Sequence, residues 1–119
     1  MKATIRLYGI SNCDTVKRAR AWLEERGLPC IFHDFKHSGV PPGRLDAWIG
    51  ALGWPRLVNR QGLTWRKLPA AEREHVVDAA SARALMLATP SVIKRPVVEW
   101  SDGNITVGFD AAQWTARAR

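Results

Sequence analysis

The sequence predicts an α/β fold with the element order βαβ, then a run of helices, then ββα. Three observations predict it. Near the N-terminus Ala3, Ile5 and Leu7 alternate with Thr4, Arg6 and Tyr8, and period two is the signature of a strand. From Leu45 to Ala88 the apolar residues move to helical spacing. Beyond Pro90, short β-forming runs return on either side of Asp102-Gly103, a dipeptide typical of hairpin turns.

Each element follows in order. Ala3 to Tyr8 reads as the first strand, and Gly9 to Asn12 turns the chain. Asp14 to Arg26 reads as a helix with Val16, Ala19 and Leu23 on one face and Gly27 as its stop. Pro29 to Phe35 is rich in β-formers, and strand, helix, strand at this spacing predicts a right-handed unit with parallel strands. His37 to Gly43 is a loop by composition. Leu45, Trp48, Ile49 and Leu52 sit at i, i+3, i+4 and i+7, an amphipathic helix ended by Gly53. Leu57 to Leu68 reads as a short helical turn plus a loop, and Pro69 to Ala88 as helix with a break around Ala79 to Ser81. Leu45 to Ala88 is thus a mostly helical insertion between two halves of a sheet. Pro96 to Trp100 and Ile105 to Phe109 form the closing hairpin, and Asp110 is placed to cap a last helix carrying Ala111 and Trp114.

The whole chain sets outer bounds. A length of 119 residues predicts one domain, residues 1–119, with one core. Hydrophobic residues make up 46% and charged residues 24%, the balance of an ordinary globular chain, so neither disorder nor a fibrous class is indicated. No apolar run approaches the roughly 18 residues that span a bilayer, and the first ten residues lack a signal peptide's continuous apolar stretch. The expectation is a cytoplasmic monomer with no membrane association. The net charge of +7 favours acidic partners. The basic residues are scattered, however, and no nucleic-acid motif accompanies them. His33, His37 and His75 show no ligand spacing, so no metal is expected, nor any bound cofactor.

The chemistry gathers at one cysteine. Two cysteines, Cys13 and Cys30, make neither a disulfide framework nor a C-x-x-C pair, and both should be free thiols in a reducing compartment. Cys13 precedes a predicted helix, where unpaired N–H groups and about half a positive charge favour an anion. An ordinary thiol has a pKa near about 8.5, and such surroundings lower it. Lys17 lies one helical turn on and Arg20 adds a more distant charge, whereas the Asp14 carboxylate opposes a neighbouring thiolate. Either Asn12 or Cys13 itself occupies the N-cap; the sequence leaves both open. Cys30 begins a strand and reads as a buried structural thiol. Lys94-Arg95-Pro96 precedes another strand, where the X-Pro bond can be cis, or the proline can simply start an edge strand.

Together YGISNCDTVKRARAWL, FHDF, LVNRQGLTWRKL and PSVIKRPVV resemble the arsenate-reductase-like branch of the thioredoxin fold. That branch holds the ArsC enzymes, the Spx-type regulators and a YffB-like group, to which GISNCDTVKRAR is most similar. The resemblance covers almost the entire chain. It implies a thioredoxin-like βαβ–ββα mixed sheet with a helical insertion. It further implies Cys13 as the catalytic thiol and Pro96 as a cis-proline facing it.

Departures from the family pattern bear on function. Of the three arginines that hold arsenate in the family, the resemblance matches only Arg95. The second falls at Asn59, with Arg60 adjacent, and the third near Gly108. Charged hydrogen bonds contribute roughly 1.5–3 kcal/mol each, so arsenate reduction is disfavoured but stands as an alternative. Val16 replaces the second cysteine of Spx-type redox switches. A regulator that binds RNA polymerase without that switch is the alternative from another class. The expected function is a glutathione-dependent thiol/disulfide reductase in which Cys13 attacks an oxidised small-molecule or protein substrate and glutathione, as thiol cosubstrate, resolves the adduct. By analogy glutathione's peptide part pairs with Arg95 beside Pro96. Asn12, Lys17 and Arg60 join as binding residues by charge and position.

Overall fold

The computed structural model describes residues 4–117. Its contacts divide the chain into two compact units: one built from the N-terminal part through Asp34 together with the part from Arg95 onward, the other from Phe35–Lys94.

The first unit holds a mixed four-stranded sheet. Its strands are β1 (Ile5–Gly9), β2 (Cys30–Asp34), β3 (Val97–Glu99) and β4 (Ile105–Val107), in the order β2-β1-β3-β4. β1 and β2 run parallel, with Ile5 opposite Cys30 and Gly9 opposite Asp34. β3 is antiparallel to both β1 and β4. This is the predicted βαβ and ββα arrangement in one thioredoxin-like sheet. Ala3, expected to open β1, lies outside the described residues.

Helix α1 (Asp14–Glu25) crosses from β1 to β2 and buries Val16, Ala19, Trp22 and Leu23. It ends in a Schellman arrangement: Gly27 N–H donates to the Glu24 carbonyl at 3.0 Å and Leu28 N–H to the Leu23 carbonyl at 3.0 Å. Gly27 supplies the required left-handed residue at φ 64°. The buried face packs with Ile5, Leu7, Val98, Trp100 and Trp114. Trp114 stands edge-on to Trp22, Trp100 and Phe109, at centroid distances of 5.5, 4.9 and 4.7 Å. Such pairs add roughly 0.5–1.5 kcal/mol each beyond their burial. Trp114 comes from the last helix, α8 (Ala111–Arg117), which Asp110 caps by accepting the Gln113 N–H at 3.0 Å.

Gly9 sets the distance between β1 and α1. A Cβ there would stand 2.7 Å from Val16 Cγ2, and Val16 is fully buried and β-branched, so it cannot swing aside. Gly9→Ala is therefore expected to destabilise the protein by about 1–3 kcal/mol, read as a lower denaturant midpoint with an unchanged m-value.

The hairpin turn differs in register from a two-residue loop on Asp102-Gly103. Gly103 N–H donates to the Trp100 carbonyl at 2.9 Å and Trp100 N–H to the Asn104 carbonyl at 2.8 Å. Ser101, Asp102 and Gly103 thus form a three-residue loop, with Gly103 at φ 89°.

The second unit is helical: α2 (Phe35–Ser38), α3 (Pro42–Leu52), α4 (Trp54–Leu57), α5 (Leu63–Lys67), α6 (Ala70–Glu74) and α7 (Ala79–Ala88), followed by a 3-10 turn at Pro90–Val92. Three expectations are corrected. The loop expected over His37 to Gly43 shrinks to residues 39–41, because α2 and α3 take its two ends. Phe35 starts a helix instead of ending a strand, its buried ring 6.2 Å from that of Trp48. The break in the long helical stretch falls at residues 75–78, not at Ala79 to Ser81, which open α7. The cause is a reciprocal cap. Asp78 accepts the Ser81 N–H at 2.8 Å, and the Ser81 hydroxyl accepts the Asp78 N–H at 3.1 Å.

Candidate active site

The turn Ile10–Cys13, closed by Cys13 N–H on the Ile10 carbonyl at 3.1 Å, delivers the chain from β1 into α1. Cys13 itself is the N-cap, with extended backbone (φ −90°, ψ 126°), and its carbonyl accepts the Lys17 N–H at 3.0 Å. This settles the choice between the two capping candidates: Asn12 sits one residue earlier, exposed in the turn. The Cys13 side chain closes no capping hydrogen bond of ordinary geometry. It is half-buried against the core of the first unit.

Arg95 meets Cys13 although 82 positions separate them in the sequence. Partial burial pushes the Cys13 thiol up, but the combined pull downward is larger. It comes from the Val16 backbone N–H, the Arg95 hydrogen bond, the Arg95 charge and the Thr15 N–H, and the pKa lies below the ordinary thiol value. The helix thus acts through two N–H groups of its first turn, and the guanidinium adds a directed charge. Asp14, which would oppose the thiolate, is turned to solvent with 90% exposure and pairs with Arg18 at 3.4 Å.

The Arg95-Pro96 peptide bond is cis. Pro96 is fully buried, and its carbonyl accepts the Gly108 N–H at 2.8 Å, tying the start of β3 to the end of β4. Among the residues singled out from sequence, Cys13, Arg95 and Pro96 share this unit with Asn12 and Lys17, whose side chains are exposed. Lys17 meets Cys13 through its backbone N–H. Arg60 belongs to the helical unit, where its guanidinium lies 5.6 Å from the Trp54 ring centroid. Thr15 and Val16 were not singled out by side-chain chemistry because they act through the backbone. Only the position of the helix start could have marked them.

Cys30 stands in contrast. Its thiol is pushed up by burial, against weaker opposing pulls from the Arg20 charge and the Leu7 N–H. It pairs with Ile5, four residues before Gly9, so at about 3.3 Å per residue it lies ~13 Å back along the sheet from the end that leads to Cys13. A disulfide needs Cα atoms within about 6.8 Å, and both thiols are free. At neutral pH iodoacetamide is therefore expected to label Cys13 well ahead of Cys30. Peptide mapping of partly alkylated protein checks this; equal labelling, or Cys30 first, would contradict it.

The ArsC family model matches residues 8–117. An uncharacterized protein of Haemophilus influenzae is 34% identical over 112 residues, covering 94% of this chain and 96% of that one. The solved structure of a YffB protein superposes with a TM-score of 0.88 at 45% identity, over 95% of this chain and 97% of that one. An arsenate reductase (ArsC) related protein from Brucella melitensis is 50% identical, with a TM-score of 0.76 over 98% of this chain and 96% of that one.

Proposed function

The chain belongs to the ArsC family, and on that premise we propose that it is a cytoplasmic thiol-dependent reductase acting through Cys13, with glutathione as its thiol cosubstrate. The observation that carries this reading is the Cys13 thiol held below its ordinary pKa beside Arg95 and the first turn of α1.

The reaction has two exchanges. The Cys13 thiolate attacks one sulfur of a disulfide substrate. The S–S bond breaks, the leaving thiolate departs with the electron pair and takes a proton from solvent, and Cys13 is left in a mixed disulfide. An external thiolate then attacks that mixed disulfide, expelling Cys13 as thiolate and carrying away the second sulfur as a new disulfide. Stabilising an anionic sulfur serves Cys13 as attacker in the first step and as leaving group in the second. The external thiol is required because Val16 stands where a near cysteine would be and Cys30 lies toward the other end of β1. Glutathione fits on charge: its carboxylates suit Arg95 and Lys17, and the Arg95 backbone beside Pro96 is where its peptide part would pair.

Glutathione is therefore expected to release a Cys13 mixed disulfide about tenfold faster than 2-mercaptoethanol at equal thiolate concentration, the worth of one charge-assisted hydrogen bond. Stopped-flow release of a fluorescent thiol reads the two rates, and equal rates would remove glutathione from the proposal.

One solved relative is titled an arsenate reductase (ArsC) related protein, but the backbone argues against a full oxyanion site here. Gly108, near which the family's third arginine falls, has φ 85°, in the left-handed region that favours glycine. An arginine there would be strained.

A further inference from the structure

The positive charge of the chain is unevenly placed. Residues 35–94 carry nine lysines and arginines against four acidic residues, so the helical unit holds +5 of the net +7. Residues 47–71 contain no acidic residue, yet Arg56, Arg60, Arg66 and Lys67 all fall there. Elsewhere Arg18 is matched by Asp14, Arg83 by Asp46 and Arg117 by Asp102. Arg56, Arg66, Lys67 and Lys94 are exposed and form no ion pair among the described residues.

The backbone gathers these cations onto one scaffold. Val58 bridges Ile93, Asn59 N–H donates to the Val92 carbonyl at 2.8 Å, and Lys94 N–H donates to the Leu57 carbonyl at 2.7 Å. Lys94 therefore lies beside the end of α4. A tight turn follows, with Gly62 N–H on the Asn59 carbonyl at 3.2 Å and Gln61 N–H on Asn59 Oδ1 at 3.3 Å. It leads directly into α5, which packs against the 3-10 turn at Pro90–Val92. Leu57, Val58, Val92 and Ile93 are buried, whereas Arg56, Arg60 and Lys94 beside them are exposed. On the same elements Leu63 is 59% exposed, and Trp54 and Trp65 are half-exposed.

We propose that this surface docks an acidic protein segment in which carboxylates surround an apolar side chain. The charges supply the complement to the carboxylates, and Leu63 with Trp65 supplies the apolar contact that a polyanion alone would leave unused. Arginine and tryptophan also dominate protein–protein hot spots. A single-stranded nucleic acid fits less well, because its bases need free aromatic faces and Arg60 lies over the face of Trp54. The inference uses none of the Cys13 chemistry, so either can fail without the other.

The test is fluorescence anisotropy on the full chain at physiological salt, using a fluorescein-labelled peptide of glutamates with interspersed leucines as the probe. Arg56→Gln combined with Arg66→Gln is expected to weaken binding about tenfold or more, and Leu63→Ser about threefold with no change of charge. Arg6→Gln combined with Lys36→Gln removes the same charge and should stay within about twofold of wild type. Absence of binding, equal weakening by the two double variants, or indifference to Leu63→Ser would each overturn the proposal. So would tighter binding of a labelled dT20 oligonucleotide that the Arg56/Arg66 variant abolishes, since the surface would then belong to nucleic acid.

Discussion

Cys13→Ser is expected to abolish reduction of a glutathione mixed disulfide, lowering turnover at least about 10³-fold, to the level of uncatalysed exchange. A serine hydroxyl at the same N-cap remains protonated at neutral pH and cannot form the mixed disulfide. It is also a better helix cap than cysteine, so the fold should persist, and circular dichroism and thermal melting separate lost chemistry from lost structure. Cys30→Ser gives the contrast. That thiol is held in its neutral form by burial and sits at the Ile5 end of the sheet, so the variant should keep wild-type turnover within about twofold. A Cys30→Ser variant as inactive as Cys13→Ser, yet folded, would return the resolving role to Cys30.

Arg95→Ala tests the charge that activates the sulfur. Arg95 acts on Cys13 by a hydrogen bond and by its charge. A hydrogen bond to an ionised group contributes roughly 1.5–3 kcal/mol, which corresponds to about tenfold or more in the thiolate population at pH 6. The sign follows from the direction of the shift. Cys13 is depressed relative to an unfolded thiol, so its thiolate is present above its folded pKa and lost as pH falls through it. Removing Arg95 moves that loss to higher pH. The alkylation rate of the variant at pH 6 should accordingly fall about tenfold, while at pH 9 it converges on the wild-type rate. A uniform decrease at all pH values would mean that Arg95 merely holds the loop in place. Arg95→Lys retains the charge without the planar fork and should recover part of the low-pH rate.

The local features of this site were legible in the sequence because their causes are local. A period-two run, a turn and an amphipathic helix with Gly27 beyond it are enough to put Cys13 at a helix start, and the Schellman bonds of Gly27 and Leu28 realise that stop. The same holds for Asp110, whose capping role needs only the residues that follow it. Phe35 favours strands by residue type, whereas burial beside Trp48 decides its place. The break before α7 carried its own local signal, Asp78 followed three residues later by Ser81, but the apolar spacing around it masked the cap.

What the sequence could not hold is the meeting of Arg95 with Cys13. No local pattern links residues 82 positions apart, and the family resemblance alone suggested Arg95. The sheet supplies the link by pairing β1 with β3, so that Tyr8 lies opposite Val97. The residues just beyond that pair, the β1–α1 turn on one side and Arg95-Pro96 on the other, then come to the same end of the sheet. The reactivity of Cys30 was equally nonlocal, since the register of β2 on β1 decides its distance from Cys13.

The most direct measurement is the intact mass of reduced protein mixed with oxidised glutathione from pH 5.5 to pH 9, with Cys13→Ser alongside. A single glutathione adduct forming readily below pH 7 on wild type alone, and released by reduced glutathione, is the expected result. An adduct that appears only near the ordinary thiol pKa of about 8.5, or that forms equally on Cys13→Ser, would contradict the assignment of Cys13 as the activated nucleophile.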